Sequence, residues 1–410
     1  MQITHKTPAL KFIFFTVFLD LLAFGLIVPV LPKLLSSFST SATPADTVFL
    51  IGVFGTIWAL MQFIFSPLLG MLSDRFGRRP VILLSALGLG LDYIIMALAP
   101  SLLWLFLGRL LSGITSANVT TANAYISDVT RPEERSKAYG ILGGAFGAGF
   151  IIGPALGGML SDIHLYLPFW FAAGCSFLNV AYGFFVLPES LPRKARKKRL
   201  EWKKANPVGA ISFFLKYPKL IKLAIINFLG NLAHEVYIIV FVLYTITRYE
   251  WSNTTVGLAL TTAGVSAMIV AVMLVGPIVK RLGDRGTLFV GMIFGAIGFV
   301  LFGLADKSWV FLVAIPVNAL WALSGPPIKT LMTQHVPISE QGELQGALGS
   351  INSIAMLIGP SLFSTAYAIG LSSSIQIPGI PWFLASTIIC LAGILAYSVL
   401  RESKKYVTGS

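Results

Sequence analysis

The chain has 410 residues, of which 56% are hydrophobic and only 11% charged, whereas an ordinary soluble domain is about 25% charged. With a mean hydropathy of +0.82, this excludes a soluble enzyme, and it makes nucleic acid the wrong partner for a net charge of +13, from 30 Lys and Arg against 17 Asp and Glu. Apolar stretches of about 20 residues recur along the whole length, each enough to cross a ~30 Å hydrocarbon core, so the composition predicts a polytopic membrane protein.

Hydropathy punctuated by Pro, Gly and charge predicts twelve helices, at 10–32, 47–71, 81–99, 102–127, 137–160, 165–187, 219–246, 255–279, 286–305, 308–333, 343–370 and 381–400. The long apolar runs exclude a membrane barrel, whose strands alternate over about 10 residues. The first run follows Lys6 and Lys11 as a signal peptide would, but it carries Asp20, lacks a small-residue cleavage site and is too long; it reads as the first span. Cys175 and Cys390 lie inside apolar runs, and His5, His164, His234 and His335 are scattered, so neither a disulfide framework nor a metal site is expected.

With a cytoplasmic N-terminus, the external loops hold only Lys33, Arg248 and Lys307 as basic residues. Arg75, Arg78, Arg79, Arg131, Arg135, Lys137, Lys280, Arg281, Arg285, Arg401, Lys404 and Lys405 all fall inside, as does the run from Arg193 to Lys204, whose eight basic residues are interrupted by a single acid, Glu201. The excess of internal Lys and Arg places both termini in the cytoplasm. That basic run reads as a solvated or headgroup-bound linker. The expected domains are a six-helix bundle over 1–190, a basic linker over 191–218 and a second six-helix bundle over 219–410.

The halves repeat at an offset of 206 residues: Gly70, Arg75, Gly77 and Arg79 fall on Gly276, Arg281, Gly283 and Arg285, and Gly140, Gly143, Gly153 and Pro154 on Gly346, Gly349, Gly359 and Pro360. Glu134 falls on Glu340. One offset that satisfies separate clusters implies parallel structural repeats about an axis along the membrane normal, an architecture suited to rocking about a central site.

Four motifs stand in order: Asp20-x4-Gly25-x3-Pro29-x-Leu31-Pro32, then Gly70-Met-Leu-Ser-Asp74-Arg75-Phe-Gly77-Arg78-Arg79-Pro80, then Arg109-x3-Gly113, then Gly149-x3-Gly153-Pro154-x2-Gly157-Gly158. Taken alone, the second reads equally as a positive-inside loop and the last as helix packing through small residues. Together they resemble the major facilitator superfamily, and more narrowly its 12-span drug:proton antiporters of the tetracycline-exporter type. The resemblance covers the whole chain, densely in the first half and more loosely in the second. It implies an all-α fold of two pseudo-symmetric six-helix bundles, and secondary transport with the proton gradient as energy source and no cofactor. It also implies gating by Gly70, Asp74, Arg75, Gly77, Arg78, Arg79 and Asp128 on the cytoplasmic side, and by Gly149, Gly153 and Pro154 in the antiporter-type glycine segment.

An intramembrane charge costs about 2.5 to 3.5 kcal/mol on insertion scales and faces the bundle interior or a cavity. Four are evident: Asp20, Asp92, Arg109 and Glu235. Arg109 begins a polar stripe through Ser112, Ser116, Thr120 and Asn123 at helical spacing. Arg109 stays protonated, so the carboxylates carry the proton; Arg109 is expected to pair with Asp20 or Asp92, either as a coupling pair or as a structural pair that fixes helix register. In the seventh span Asn227, Asn231 and Glu235 recur every four residues, flanked by His234 and Tyr237. Glu235 lies roughly 20 Å deep at 1.5 Å rise per residue and is a candidate reversible proton site. His234 reads equally as an interior histidine bonded to a neighbouring helix.

The candidate substrate pocket comprises Trp58, Gln62, Asn123, Asn227, Asn231, Tyr237, Phe241, Trp321 and Asn352, although packing explains an aromatic at any one of these positions. The chain departs from the tetracycline exporters in having no charged residue or His in span 8 and no acid in span 9 before Asp306. These absences argue against tetracycline itself as substrate and make Glu235 a functional replacement. The expected activity is proton-coupled multidrug efflux of an amphipathic small molecule, conferring antibiotic resistance, by a monomer in the inner (cytoplasmic) membrane. Alternatives are uptake or export of a metabolite or siderophore-like molecule on the same fold, or a sensor that has lost transport. No His-Glu-x-x-His or Gly-x-Ser-x-Gly motif supports an enzyme.

Overall fold

The computed structural model describes residues 6–38, 44–116, 118–130, 135–193, 196, 212–337, 340–372 and 377–408. Several sequence-derived features fall wholly or partly outside them: His5, Arg131, Glu134 of the Glu134/Glu340 correspondence, and the linker run from Arg193 to Lys204, of which only Arg193 and Arg196 are described. The described residues form helices and their connections, with no strand among them.

The first apolar run breaks where its prolines demand it. α1 (Lys6–Ile27) gives way to a turn at 28–30 and to α2 (Leu31–Ser37), with a 44° bend between them. Pro29 and Pro32 lack the N–H an unbroken helix needs, so the single helix expected over 10–32 is two. α3 (Pro44–Phe76) and α4 (Arg78–Leu98) follow, then α5 (Leu102–Thr115) and α6 (Asn118–Val129) in place of one continuous fourth helix, then α7 (Arg135–Ile163) and α8 (Leu167–Phe185). In the second half α9 (Phe213–Lys216) leads into α10 (Pro218–Val236), a π-helical turn at Tyr237–Phe241, and α11 (Val242–Tyr249). Next come α12 (Asn253–Ile269), a second π-helical turn (Val270–Leu274), α13 (Val275–Leu304) and α14 (Ser308–Ala319). A 3₁₀ turn (Leu320–Ser324) joins α14 to α15 (Gly325–Thr333), and α16 (Gln341–Ser372) and α17 (Ile380–Thr408) complete the chain.

Among the described residues eight helices are long and apolar enough to cross a membrane, or nine with the bent first pair, and Leu102–Thr115 and Gly147–Ile163 are shorter apolar helices. One of the eight is the 52-residue run Asn253–Leu304, where two spans are expected. Its interior is broken at Gly283, whose φ of 70° is outside the helical region. Gly77, which ends α3, has φ of 112°, and these are the only two glycines with positive φ among the described residues. They stand at the repeat offset from one another, so both halves place a glycine where the backbone turns in a way a side chain resists.

The chain divides into two compact units: residues 1–40, 57–206 and 251–261 form the first, and 41–56, 207–250 and 262–410 the second. In the first unit α1 and α7 approach at backbone distance. A Cβ on Gly153 would lie 2.7 Å from the Gly25 Cα, and one on Gly157 would lie 2.1 Å from the Leu26 carbonyl. This seam of small residues is what membrane helices use to associate, since lipid offers no hydrophobic driving force between them. The same unit buries Ile13, Val17, Ile82, Tyr125, Ile126 and Leu187 together. In the second unit the core is aromatic. Trp382, fully buried, has Phe302 at 5.0 Å, Tyr244 at 5.7 Å and Phe311 at 5.9 Å between ring centroids.

Candidate functional site

In the first unit the buried charges of the membrane region sort into two partnerships. Arg109 on α5 donates through a terminal guanidinium nitrogen to Asp92 Oδ2 on α4, and the same nitrogen lies 3.0 Å from the Met96 sulfur. Asp92 is completely buried and Arg109 is 7% exposed. Asp20 on α1 accepts from the Asn179 amide of α8 at 2.8 Å, and that amide also donates to the Thr16 carbonyl at 3.1 Å. Of the two carboxylates open to Arg109 from sequence, Asp92 holds the ion pair. Asn179, buried in an otherwise apolar run, is the partner that sequence reasoning missed.

A second arrangement ties α3 to α5. Trp58 Nε1 donates to Ser112 Oγ at 3.2 Å, and Gln62 Nε2 to Ser116 Oγ at 3.1 Å, so residues one turn apart on α3 meet Ser112 on α5 and Ser116 just past its end. Gly113 makes that contact possible, since a Cβ there would sit 2.6 Å from the Met61 Cβ and 2.7 Å from the Trp58 carbonyl. Phe24 lies against both Trp58 and Phe150, with centroids at 6.1 and 5.8 Å. The stripe begun by Arg109 does not run along one helix: Ser116 leaves helical geometry at ψ 69°, and Asn123, partly buried, belongs to α6.

At the turn between α3 and α4 the same unit gathers charges around Arg78. Its Nη1 reaches Ser73 Oγ and Asp74 Oδ1, both at 2.6 Å, and its Nε reaches Asp128 Oδ2 at 3.0 Å. The backbone N–H of Arg78, at the start of α4, donates to Glu189 Oε1 at 2.9 Å, where a carboxylate complements the helix N-terminus. Glu189 also pairs with Arg196 at 3.5 Å. Arg79 donates to the carbonyls of Gly183 and Phe184, Arg75 stacks over Phe76, and Gly70 has open space where a side chain would stand. Gly77 has none, because a Cβ there would be 2.1 Å from Glu189 Oε2. Glu189 is a second residue that sequence reasoning passed over.

In the second unit α10 carries the polar residues. Asn227 and Asn231 both donate to the Oδ1 of Asn352 on α16, at 3.2 and 2.6 Å. One turn further on, Glu235 lies against α16 where Gly359 leaves room: a Cβ on Gly359 would be 2.4 Å from the Glu235 Cγ. Glu235 is 7% exposed, and among the described residues no hydrogen bond or ion pair reaches it. His234 is exposed on the unit's surface, with its ring 5.7 Å from Tyr237 and 6.1 Å from Trp321. Tyr237 donates to Asn318 Oδ1, and Asn318 in turn donates to the Gly295 carbonyl at 3.3 Å. Phe241 is fully buried among Tyr237, Phe311 and Trp382, and so packs the aromatic core.

Residues 13–360 and 223–409 match the model of the Major Facilitator Superfamily. The chain belongs to the Major Facilitator Superfamily. It is 35% identical to the class C tetracycline resistance protein of Escherichia coli, over 94% of this chain and 96% of that protein. Its identity with the class B protein of Escherichia coli is 34%, over 93% of each. Multidrug resistance protein 2 of Bacillus subtilis (strain 168) is 27% identical over 95% of this chain and 94% of its own. The fold matches that of a bacterial homolog of the human lysosomal transporter Spinster, with a TM-score of 0.78 at 17% identity, covering 98% of both chains. It also matches the human organic anion transporter MFSD10, with a TM-score of 0.74 at 22% identity, covering 96% of this chain and 99% of that one.

This superfamily member is a multi-pass membrane protein and a secondary active transporter of the efflux type, acting on a small molecule; it is not an enzyme. Its superfamily motifs now have a physical reading. Gly113 and Gly153 admit neighbouring helices, Gly77 turns the backbone, and Arg78 gathers the carboxylates around that turn. The second half keeps the turn at Gly283 but reverses its charges: Asp74 and Arg78 fall on Lys280 and Asp284, and a side chain at Gly283 would meet nothing within 4 Å.

Proposed function

We propose that this carrier exchanges protons for an amphipathic antibiotic and moves the drug out of the cytoplasm by alternating access. Its helices make twelve crossings in two six-helix bundles, 1–190 and 219–410, joined by the linker 191–218, with both termini on the cytoplasmic side of the inner membrane. The carrier works as a monomer and draws its energy from the proton gradient, with no bound cofactor. The recurrence of the positive-φ glycines Gly77 and Gly283 supports the repeat on which this topology rests.

One observation carries the coupling: two intramembrane carboxyls stand in opposite situations. Asp92 is tied to Arg109, so a proton arriving there competes with a guanidinium and its arrival rearranges the pair. Glu235 has no partner among the described residues, so it can take and release a proton without breaking an ion pair. Asp20, bonded to Asn179, is a further station. His234 lies beside Glu235 in sequence and against Trp321 in space.

Cargo contacts come from Trp58, Gln62 and Asn123 in the first half, and from Asn227, Asn231, Tyr237, Trp321 and Asn352 in the second, with Phe241 supporting Tyr237 from the core. The cluster around Arg78 holds the cytoplasmic turn, and the α1–α7 seam with Gly149, Gly153 and Pro154 gives the helices a surface on which to slide. Relatives named for tetracycline resistance make tetracycline the first cargo to try, with Glu235 doing the work of the polar groups missing from spans 8 and 9. The test is uptake of labelled tetracycline into liposomes with an acidified lumen, compared with protein-free liposomes. Carrier-dependent uptake that collapses with a protonophore is expected; carrier-dependent flux indifferent to the gradient removes proton coupling.

A further inference from the structure

Three asparagines on the α10–α16 seam of the second unit form one hydrogen-bonding element. Asn352 Oδ1 accepts from Asn227 Nδ2 at 3.2 Å and Asn231 Nδ2 at 2.6 Å, and Asn231 Nδ2 also donates to the Asn227 carbonyl at 2.8 Å. The backbone carbonyl of Asn227 fixes Asn231 Nδ2 as a donor, so the Asn352 atom that Asn231 Nδ2 meets is the oxygen. An amide carries one carbonyl acceptor and two N–H donors, so the inward-facing bonds consume the Asn352 acceptor, one N–H of Asn227 and both of Asn231. What remains is the Asn352 amino group, one N–H of Asn227 and the side-chain oxygens of Asn227 and Asn231. None of these has a hydrogen bond among the described residues, and all three side chains are partly exposed.

The unused groups therefore present N–H donors on Asn352 and Asn227 and carbonyl acceptors on Asn227 and Asn231, without charge. Trp321 stands beside them: Gly230, between the two asparagines of α10, leaves room for the indole, and a Cβ there would lie 3.8 Å from it. Phe299 packs edge-on against that indole, at a centroid distance of 5.5 Å. A ligand that satisfies this arrangement offers a carbonyl to Asn352 and flanking O–H or N–H groups to Asn227 and Asn231, on a flat apolar body that lies along Trp321. An anionic edge would face two carbonyl oxygens, and a cationic edge would leave the Asn352 donor opposed by another donor.

We propose that Asn227, Asn231 and Asn352 act together as a specificity element that selects cargo by an uncharged keto-enol or carboxamide edge. The inference rests on the carrier reading above and names the chemical class of its cargo. It gives three residues a joint role that none could fill alone: Asn352 is useful as an outward donor only while its oxygen is held by the other two.

The test is equilibrium binding to the purified full-length protein with two probes. Tetracycline carries such an edge on a flat body, and ethidium is a flat cation without one. Asn352→Asp keeps an oxygen for Asn227 and Asn231 but replaces the outward N–H donor with a second oxygen. The dissociation constant for tetracycline is expected to rise at least tenfold, with that for ethidium unchanged or lower. Should Asn352→Asp fail to elute as folded protein, Asn227→Ala removes one outward acceptor and leaves the Asn231–Asn352 bond in place; a rise of threefold or more is then expected for tetracycline alone. A tetracycline constant that rises by less than these factors, equal weakening of both probes, or a wild-type protein that binds no tetracycline overturns the inference. Gradient-driven flux in liposomes is measured in parallel: its absence, with variant-sensitive binding intact, removes the carrier reading and leaves the specificity element standing.

Discussion

Removing either member of the Asp92–Arg109 pair should harm the protein more than removing both. Asp92 is completely buried and Arg109 is 7% exposed, so Arg109→Gln strands a carboxylate and Asp92→Asn strands a guanidinium away from bulk water. Breaking a buried pair from one side costs about 3–5 kcal/mol, whereas replacing both charges is often close to neutral. The double variant Asp92→Asn/Arg109→Gln should therefore recover part of the loss, with a coupling energy of about 1–3 kcal/mol. Thermal unfolding in detergent can be followed by reaction of buried Cys175 with a thiol-reactive dye, after exposed Cys390 has been replaced by Ser. Each single variant should melt several degrees below wild type, and the double variant above the sum of the two shifts. The double variant should nevertheless lose gradient-driven transport, since the switch has gone even where stability returns. Strict additivity of the two shifts would refute the pair as an energetic unit.

Three further outcomes follow from the packing. Gly359→Ala places a Cβ 2.4 Å from Glu235 Cγ and 2.5 Å from its Cβ; overpacking of this kind costs about 1–3 kcal/mol, and the pH profile of transport should shift because the carboxyl must move, a shift that a remote Gly→Ala such as Gly174→Ala should not produce. Gly77→Ala meets both a φ of 112° and Glu189, so expression and transport should fall together, and Glu189→Ala should restore only the steric part. Between α9 and the start of α16, Lys216 Nζ and the Tyr217 hydroxyl donate to Glu340 at 2.7 and 2.8 Å, and these bonds hold its carboxyl below the usual carboxylate range. That tie is present above the ordinary carboxylate pKa and is lost as the pH falls through the lowered one. Crosslinking between cysteines introduced near positions 216 and 340 should accordingly stay efficient at neutral pH and weaken only in strong acid, with the loss moving to higher pH in Tyr217→Phe.

Much of this was legible in the sequence because the bilayer restricts what a chain can do. Every backbone polar group must be satisfied within a helix, so apolar length alone locates the helices, and an intramembrane charge such as Arg109 announces itself. The repeat was legible through glycines, and Gly77 and Gly283 recur as the same backbone feature. Hidden from sequence were the partners. Asn179 and Asn318 sit in apolar runs as single amides, with nothing in their neighbourhood to say that they hold Asp20 and Tyr237. Glu189 lies more than a hundred residues from the Arg78 backbone it caps, a relation set by tertiary structure alone. The aromatic residues divided for a similar reason: Trp58 and Trp321 are partly exposed and Phe241 is fully buried, a distinction that depends on which neighbours surround each ring. Breaks within helices escaped the reading of 10–32 as one helix even though Pro29 and Pro32 cause that break, and the two π-helical turns carry no signal at all, since their sequences Tyr-Ile-Ile-Val-Phe and Val-Ala-Val-Met-Leu are ordinary apolar stretches.

Proton coupling through Glu235, a carboxyl without a partner among the described residues, is tested most directly by comparing two modes of transport in one variant. In liposomes containing Glu235→Gln, exchange of labelled for unlabelled tetracycline needs the cargo site and the conformational cycle but no net proton movement. Accumulation against a gradient needs the proton as well. The variant should retain exchange within about threefold of wild type and show no accumulation in response to an imposed pH gradient. Accumulation that follows the gradient as it does in wild type would contradict the account.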